Sequence, residues 1–248
     1  MKLKDRIAVI TGSSKGIGAG IAKEYAKEGA KVVVNYSSSK ESADKVVEEI
    51  IQNGGTAIAI QADISKISEI NRLFEETKKA YGRLDILVNN ASVWRYEKLE
   101  DISEETFQLQ INTGLMAHMF CAQQAVAMFG EKGGSIINLS STISLNPIPG
   151  TLIYCAIKAA VDSLAKTLAK ELGHRNIRVN TIAPGMTESE GSTADGRPGS
   201  EMEKQFLALT PLGRIGLPID IAKVAVFLAS EDAGWVTGER ITVSGGLL

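Results

Sequence analysis

The residues best suited to acid–base chemistry are a tyrosine and a lysine four positions apart, Tyr154 and Lys158, near the start of an apolar helical pattern. Side chains with this spacing share one face of a helix, so the ammonium can lie beside the phenol. A free phenol has a pKa of about 10, and a neighbouring cation lowers that value because it favours the phenolate. The pair therefore predicts a general acid or base. Ordinary surface pairs of amphipathic helices have the same spacing. The spacing alone therefore does not identify a catalytic pair, and the surrounding residues must decide.

A serine, Ser141, directly follows an apolar pattern at Ser135–Ser140 that is typical of a buried strand. Sheets of α/β proteins place reacting groups at the carboxyl ends of their strands. The Tyr154 helix begins soon after this strand ends. We therefore expect Ser141 to face the same site as Tyr154.

A glycine-rich segment, Thr11–Gly18, lies between a strand pattern at Ile7–Ile10 and helical spacing from Ala19 to Glu28. Its three glycines permit a tight turn, close approach of the backbone to a pyrophosphate, and close packing of strand on helix. The phosphates would then rest on the helix N-terminus. The alternative is a flexible turn without a ligand, and a glycine loop alone does not decide between the two.

Composition indicates one α/β domain spanning residues 1–248, with 44% hydrophobic and 23% charged residues. The 27 basic and 29 acidic residues give a net charge of −2 without a block of one sign, so neither nucleic acid nor an anionic membrane is expected as a partner. Two isolated cysteines, Cys121 and Cys155, indicate reduced thiols. No apolar run resembles a signal or membrane-spanning segment, and we expect a cytoplasmic protein.

Strand and helix patterns alternate along the chain without an internal repeat, which predicts a parallel sheet with right-handed crossovers. After the sixth strand, residues 186–201 are rich in Gly, Ser, Thr and acids, and we expect a substrate loop at about 186–205. Beyond the first strand and helix, the expected strands are Lys31–Val34, Ala57–Ile60, Leu84–Val88, Ser135–Ser140, Ile177–Ile182 and Arg240–Val243, and the expected helices are Glu41–Gln52, Ile64–Tyr81, Thr106–Gly130, Tyr154–Gly173 and Ile219–Ala229.

Together these motifs resemble the short-chain dehydrogenase/reductase family over essentially the whole chain. The resemblance rests on the glycine loop, Asp63, Asn89-Asn90-Ala91, Asn112, Ser141, Tyr154-x-x-x-Lys158 and Pro184-Gly185, in the family's order and near its spacings. It implies an α/β, Rossmann-type, doubly wound parallel sheet of about seven strands in a single domain. The implied chemistry is reversible hydride transfer between a nicotinamide and a carbonyl or alcohol.

The resemblance also implies a role for each matching residue. Tyr154 protonates the carbonyl oxygen and Ser141 hydrogen-bonds to it, while Lys158 binds the nicotinamide ribose and lowers the pKa of the tyrosine. Asn112 holds a water that connects Lys158 to solvent. The residues implied to bind the coenzyme, besides Tyr154 and Lys158, are Gly12, Ser14, Lys15, Gly16, Ile17, Gly18, Asn35, Tyr36, Ser37, Ser38, Asp63, Ile64, Asn90, Ala91, Pro184, Gly185, Thr187 and Ser189.

Three positions depart from the family pattern without removing a catalytic atom. Ser92 replaces a usual glycine, Cys155 replaces a usual alanine or serine, and Ser189 replaces a usual threonine. The first two are interpreted as packing variants. His118 and His174 have no partner at a catalytic spacing, and no metal-ligand cluster is evident.

The substrate is the least determined feature, because this fold reduces many kinds of carbonyl. The chain looks most like the 3-oxoacyl-carrier-protein reductase branch, with Lys132 and Arg175 where that branch docks its carrier, although both are equally explained as surface charges. A pocket wall of Trp94, Met186, Met202 and Phe206 would suit an acyl or aryl ketone, or these residues pack as core or lid. A glucose-type polyol dehydrogenase is the second candidate, and a non-catalytic NADP-binding regulator is a candidate of another class.

The end of the second strand predicts the coenzyme. An NAD site needs an acid there to accept from the ribose 2′-hydroxyl, but the segment reads Asn35-Tyr36-Ser37-Ser38. Lys15 with the two serines would bind a 2′-phosphate instead. We therefore expect NADPH/NADP to be preferred and NADH to be used less well.

The helical stretch Thr106–Gly130 contains no Asp, Glu, Lys or Arg. At about 100° a residue, Phe107 and Ile111 fall on one side and Met116 and Phe120 nearly opposite. One sheet face cannot cover both sets, and the glutamines of this stretch argue against a membrane. We therefore expect an obligate oligomer, a homotetramer, that uses this helix at an interface.

Overall fold

The computed structural model describes residues 1–189 and 199–247, apart from the side chain of Met202. Seven parallel strands form one sheet in the order β3-β2-β1-β4-β5-β6-β7, which confirms the Rossmann-type sheet. The strands are β1 (Ile7–Ile10), β2 (Lys31–Tyr36), β3 (Thr56–Gln61), β4 (Ile86–Asn89), β5 (Gly134–Leu139), β6 (Ile177–Pro184) and β7 (Arg240–Val243).

The sheet is covered on both faces, as its apolar strands require. In β1, Ala8 and Ile10 pack into one core, whereas Ile7 and Val9 pack into the other. Alternate side chains of a strand point to opposite faces, so this division marks two layers of helices. The described helices are α1 (Gly16–Lys27), α2 (Lys40–Gln52), α3 (Ile67–Tyr81), α4 (Glu104–Ile111), α5 (Ala117–Met128), α6 (Leu152–Leu172), α7 (Glu201–Leu209) and α8 (Pro218–Ala229).

Most element boundaries agree with the sequence patterns, and the third helix differs from them at its start. It begins at Ile67 rather than at Ile64. The Asp63 carboxylate accepts hydrogen bonds from the backbone N–H and hydroxyl of Ser65, at 3.1 and 2.7 Å. Aspartate stabilises turns in this way, and the turn delays the helix.

The charge-free stretch is not one regular helix. A π-helical turn at Asn112–Met116 separates α4 from α5, and α5 ends at Met128. Gly114 in this turn lies against α6, where a Cβ would come within 2.9 Å of the Ile157 side chain. The wide turn therefore brings Asn112 and its neighbours close to the helix that carries Tyr154.

The expected substrate loop is partly helical. Helix α7 begins within it, and the Ser200 hydroxyl accepts a hydrogen bond from the Glu203 backbone N–H at 3.2 Å. Before the loop, Glu188 N–H donates to the Gly216 carbonyl and Gly216 N–H donates to the Met186 carbonyl, so residues 186–188 are held beside residue 216. The part of the expected loop at 190–198 lies outside the described residues.

Candidate active site

Tyr154 and Lys158 meet at the carboxyl ends of the central strands, as the sequence spacing predicts. The Lys158 ammonium lies 5.3 Å from the centre of the Tyr154 ring and donates a hydrogen bond to the Leu139 carbonyl at 2.7 Å. Only 1% of Lys158 is exposed, and burial lowers its pKa to about 8, while the Asp162 carboxylate acts in the opposite direction. A cation held here favours the phenolate of Tyr154, which is the environment that a transferable phenolic proton needs.

Ser141 is oriented by the turn that follows β5. Its Oγ accepts a hydrogen bond from the Ile143 backbone N–H at 3.3 Å. An oxygen that already accepts can still donate its own proton, so the hydroxyl can bind an oxygen in the adjoining cavity. The preceding Ser140 hydroxyl donates to the Lys158 carbonyl at 3.1 Å, which ties this turn to the Tyr154 helix.

The predicted water-holding residue, Asn112, is the first residue of the π-turn. Its carbonyl accepts from the Ala117 N–H, the five-residue separation that defines such a turn. The structure brings this turn against α6. Its role in holding a water remains a prediction.

The glycine loop forms a cradle that side chains would fill. Gly12 has a φ of +62°, and a Cβ there would lie 2.7 Å from the Cβ of Ala91. A Cβ on Gly18 would lie 2.5 Å from the Asn90 amide nitrogen, which donates to the carbonyls of Thr11 and Gly12 at 2.9 and 3.0 Å. Asn90 and Ala91 thus brace the loop from behind. The Thr11 and Ser13 hydroxyls also hold the loop, through hydrogen bonds with the backbone of Asn90, Ala91, Ile10 and Asn35. Its glycines have no Cβ, so a ligand can approach their backbone closely.

The residues around this cradle fit a dinucleotide. Helix α1 begins at the cradle, and its positive end favours phosphates. A cavity of about 280 Å³ runs from the loop to Tyr154 and Lys158. Its lining includes Lys15, Gly16, Ile17, Gly18, Asn90, Tyr154, Lys158, Pro184, Thr187 and Ser189. The coenzyme residues expected from the glycine loop and from β6 therefore meet in one place.

The end of β2 differs from the expectation. The Asn35 side chain is 1% exposed; its oxygen accepts from the Gly12 N–H at 3.1 Å, and its nitrogen faces the carbonyls of Ile60 and Ala62 at 3.3 and 3.1 Å. Asn35 therefore joins the glycine loop to β3 and does not present its side chain to a coenzyme. Ser37 and Ser38, which were also expected to bind the coenzyme, are exposed at the strand end and are therefore the residues to test.

Two further residues expected to bind the coenzyme could do so only through their backbone atoms. The side chains of Tyr36 and Ile64 pack into the two cores, so only their main-chain atoms remain for a ligand. Asp63 stays partly exposed. Burial alone would raise the pKa of Asp63, but hydrogen bonds from Ser65 and the Lys66 ammonium at 3.3 Å hold the pKa below its usual value. Asp63 therefore stays ionised, as its expected contact with adenine requires.

A larger cavity of about 970 Å³ adjoins Ser141 and Tyr154. The expected apolar wall is present in part, since Trp94, Met186 and Phe206 line it, whereas the Met202 side chain lies outside the described atoms. The Thr187 hydroxyl donates to the Gly185 carbonyl at 3.0 Å, and Thr187 and Ser189 line both cavities. Residues of this cavity that the sequence did not single out include Arg95, Tyr96, Asn146, Ile148, Gln205, Leu209 and Leu247.

Lys132 and Arg175 lie away from this site. They precede β5 and β6, at the amino ends of the strands, and Arg175 donates to the Val126 carbonyl at 3.0 Å. A strand of six residues spans about 20 Å, so these two side chains stand at the edge of the sheet opposite Tyr154 and Lys158. They do not support carrier docking at the cavity of the same chain.

The two histidines take no part in the site's chemistry. Burial lowers the pKa of His118 to about 3, helped by the charge of Lys158, so its ring is neutral. His174 lies after α6. Within residues 1–189 and 199–247, no three His, Cys, Asp or Glu side chains form a group able to hold a metal, and no helix is long and apolar enough to cross a membrane.

Comparison with known proteins agrees with this geometry. A family model described as enoyl-(acyl carrier protein) reductase matches residues 12–248. An uncharacterised oxidoreductase of Methylorubrum extorquens is 48% identical over 99% of both chains, and a hydroxynaphthalene reductase-like protein, Arp2, of Metarhizium majus is 40% identical over 98% of this chain and 95% of its own.

Solved structures show the same fold. The angucycline C-6 ketoreductase LanV with bound NADP matches with a TM-score of 0.93 and 36% identity, over 100% of this chain and 97% of that one. A short-chain dehydrogenase of Burkholderia cenocepacia in complex with NADP matches with a TM-score of 0.94 and 33% identity, over 100% and 99%. The glycine cradle, the Ser141–Tyr154–Lys158 site and these full-length matches show that the chain belongs to the short-chain dehydrogenase/reductase family of oxidoreductases.

Proposed function

We propose that this protein is an NADPH-dependent reductase of bulky, aromatic ketones. The observation that carries the proposal is the meeting of two cavities at Tyr154, which lines both, with Ser141 in the wall of the larger cavity and Lys158 in that of the smaller one. The smaller cavity contains the glycine cradle and the larger one has an aromatic wall. A carbonyl held between them would be close to both a hydride donor and a proton donor.

The chain's own residues supply the proton and hold the carbonyl. A bound nicotinamide supplies the hydride that the carbonyl carbon receives. Ser141 donates a hydrogen bond to the carbonyl oxygen, and Tyr154 transfers its phenolic proton to that oxygen as negative charge develops there. The Lys158 ammonium stabilises the resulting phenolate until it is protonated again. In the reverse direction, Tyr154 accepts the alcohol proton.

The preference for NADPH follows from the charges near the end of β2. Ser37 and Ser38 are exposed there, no carboxylate occupies these positions, and Lys15 lines both cavities. A 2′-phosphate would gain from the ammonium and meet no repulsion at the two serines. NADH lacks that phosphate and is expected to be used less well. The NADP complexes of LanV and the Burkholderia protein support this choice.

The substrate class follows from the size and lining of the larger cavity. At about 970 Å³, with Trp94, Tyr96 and Phe206 in its lining, it can surround a fused-ring ketone. The names of the Arp2 and LanV relatives, hydroxynaphthalene reductase-like and angucycline C-6 ketoreductase, support the same class. A 3-oxoacyl thioester, free or on a carrier protein, remains the acyl alternative to be compared directly.

Two other functions receive less support. A polyol needs many hydrogen-bonding partners, whereas the wall of the cavity exposes more apolar than polar surface. A non-catalytic NADP-binding regulator would not need Ser141, Tyr154 and Lys158 together. Both remain outcomes of the experiment below.

The test is a panel of NADPH oxidation assays with an aryl or fused-ring ketone, a β-keto ester and acetoacetyl thioesters, with glucose and NADP in the reverse direction. We expect the highest kcat/KM with the fused-ring ketone. Tyr154→Phe should lower kcat by about 100- to 10,000-fold while NADPH binding is kept, because the ring remains and the transferable proton is lost. Tyr81→Phe, which removes a phenol distant from the cavities, is the matched control. Turnover only of glucose, or full activity of Tyr154→Phe, would overturn the proposal.

We further propose a homotetramer in the cytoplasm. Three apolar side chains of α4 and α5, Phe107, Leu109 and Met119, are 40–44% exposed, and Trp235 in the segment between α8 and β7 is fully exposed. Two separate apolar surfaces suit two kinds of contact between copies, as a tetramer needs. Two cysteines without a disulfide suit a reducing compartment.

The side chains expected to need a partner subunit differ in part from those named from the sequence. Ile111 packs against Ile153 and Ile157 of α6, and Phe120 packs against the core beside α3, so both are already partly covered within the chain. Met119 therefore replaces Phe120 as the residue whose substitution tests the interface.

A further inference from the structure

A buried ion pair lies behind the catalytic serine and outside both cavities. Arg240, the first residue of β7, donates from Nε to the Asp162 carboxylate at 2.9 Å. The two side chains are 13% and 11% exposed. Asp162 belongs to α6, one helical turn after Lys158. The pair thus connects the last strand of the sheet to the helix that carries the catalytic tyrosine and lysine.

The same guanidinium also holds the turn that carries Ser141. Its Nη2 donates to the Ser141 carbonyl at 3.0 Å and to the Ser144 hydroxyl at 3.1 Å. The Ser144 hydroxyl in turn donates to Asp162 at 2.6 Å. Nη1 donates to the Thr242 hydroxyl at 2.8 Å, which fixes the plane of the guanidinium. One rigid group therefore contacts both the Ser141 turn and the Tyr154 helix.

We propose that Arg240, together with Asp162, is a positioning residue that sets the placement of the Ser141 hydroxyl relative to Tyr154. The inference rests on the proposed reduction, in which both side chains act on one carbonyl oxygen. Ser141 and Tyr154 lie on different elements, so a contact between those elements must maintain their separation. Misplacement of a reacting group by about 1 Å can cost a factor of about 100 in rate.

A role in stability alone is the weaker explanation. Removing two charges from water has a large cost, so a buried ion pair often adds little to stability compared with apolar side chains. Four directed hydrogen bonds from one planar guanidinium determine geometry instead. None of these bonds reaches a cavity-lining side-chain atom, so the substrate can be affected only through Ser141 and the elements that Arg240 holds.

The chain offers a matched control in Arg178. This part-buried arginine of β6 donates to the carbonyls of Leu228 and Ser230 at 2.7 and 3.1 Å, and it has no contact with the Ser141 turn. Arg178→Met should therefore remove comparable backbone hydrogen bonds without moving the site.

The experiment compares kcat, the KM for an aryl ketone, the Kd for NADPH and Tm in the wild type and in Arg240→Met, Arg240→Lys, Arg178→Met, Ser141→Ala and the double variant Arg240→Met/Ser141→Ala. We expect Arg240→Met to lower kcat by about 10- to 100-fold with an unchanged Kd for NADPH, and Arg178→Met to lower only Tm. Arg240→Lys should recover Tm but not kcat, because one ammonium can pair with Asp162 without also holding the Ser141 turn.

The double variant decides the mechanism. If Arg240 acts through Ser141, then Arg240→Met should lower kcat by less than about threefold once the Ser141 hydroxyl is absent. The proposal would be overturned if Arg240→Met lowered kcat by the same factor in the wild type and in Ser141→Ala. It would also be overturned by an equal loss of kcat in Arg178→Met or by recovery of kcat in Arg240→Lys. Should Arg240→Met not fold, the same cycle is run with Arg240→Lys. A wild-type kcat in Ser141→Ala would instead contradict the proposed role of Ser141 and this inference with it, while reduction by Tyr154 would stand.

Discussion

Replacing the buried Lys158, which we propose to be catalytic, should make the protein more stable while it abolishes turnover. Lys158 is 1% exposed, and burial lowers its pKa from 10.5 to about 8. Its folded-state pKa thus lies below the unfolded value, so between about pH 8 and 10.5 the unfolded chain binds more protons. Loss of the Lys158 proton therefore stabilises the folded protein relative to the unfolded chain. This stabilisation is complete above pH 10.5 and is lost as the pH falls through about 8.

The magnitude follows from that pKa. Each tenfold change in proton affinity corresponds to about 1.4 kcal/mol, so at pH 7 the charged ammonium costs about 3 kcal/mol relative to a neutral side chain. Lys158→Met removes this cost and keeps the apolar stem. It also removes the hydrogen bond to the Leu139 carbonyl, a loss of about 1 kcal/mol. The net gain of about 2 kcal/mol should raise Tm by about 4–8 °C for a chain of this size.

The assay is thermal unfolding of the coenzyme-free protein at fixed concentration, at pH 7 and at pH 9.5, alongside ketone reduction. Lys158→Met should have the higher Tm at pH 7, and its advantage should shrink at pH 9.5 because the wild type gains stability as Lys158 loses its proton. Lys166→Met, an exposed lysine of the same helix, is the control and should change Tm little. A lower Tm for Lys158→Met at pH 7, or an advantage equal at both pH values, would refute the reasoning.

Three further predictions concern the coenzyme, the substrate and the assembly. Ser37→Asp should lower the ratio of kcat/KM for NADPH to that for NADH by at least about tenfold, because a carboxylate would repel the 2′-phosphate. Steady-state kinetics with both coenzymes measure this ratio, and an unchanged ratio would show that the serine is not at the phosphate site. Trp94→Ala should raise the KM for a fused-ring ketone by about tenfold more than that for a small β-keto ester, and equal effects on both would contradict an aromatic wall. Met119→Glu should yield smaller species in light scattering, because burial of a methionine contributes roughly 1.5–3 kcal/mol; a wild type that is monomeric at micromolar concentration would exclude the interface.

Features that depend on neighbouring residues could be predicted from the sequence. The contact of Tyr154 with Lys158 needs only the spacing of an α-helix, and the glycine cradle needs only residues without a Cβ between a strand and a helix. The parallel sheet follows from alternating strand and helix patterns. Such features depend on short-range geometry, which the order of the residues contains.

Features that depend on which face a side chain occupies could not be predicted. Asn35 was expected to face the coenzyme, but the pleat of β2 turns it toward Gly12 and β3. The charge-free stretch was expected to be one helix, but packing of Gly114 against α6 accompanies a π-turn. A shift of one position along a strand moves a side chain to the opposite face of the sheet. One extra residue in a helical turn rotates every later side chain about the helix axis.

The order of the residues therefore predicts the chemical groups of the site: a phenol beside an ammonium, a serine at a strand end, and a glycine loop at the start of a helix. How these groups are held depends on contacts between distant parts of the chain. Arg240 and Asp162 are 78 positions apart, and nothing in their spacing marks them as partners, yet they form a buried pair behind Ser141. The physical reason is that an ion pair between two elements depends on the distance and facing of those elements after the sheet has formed, and no periodicity within either element carries that information.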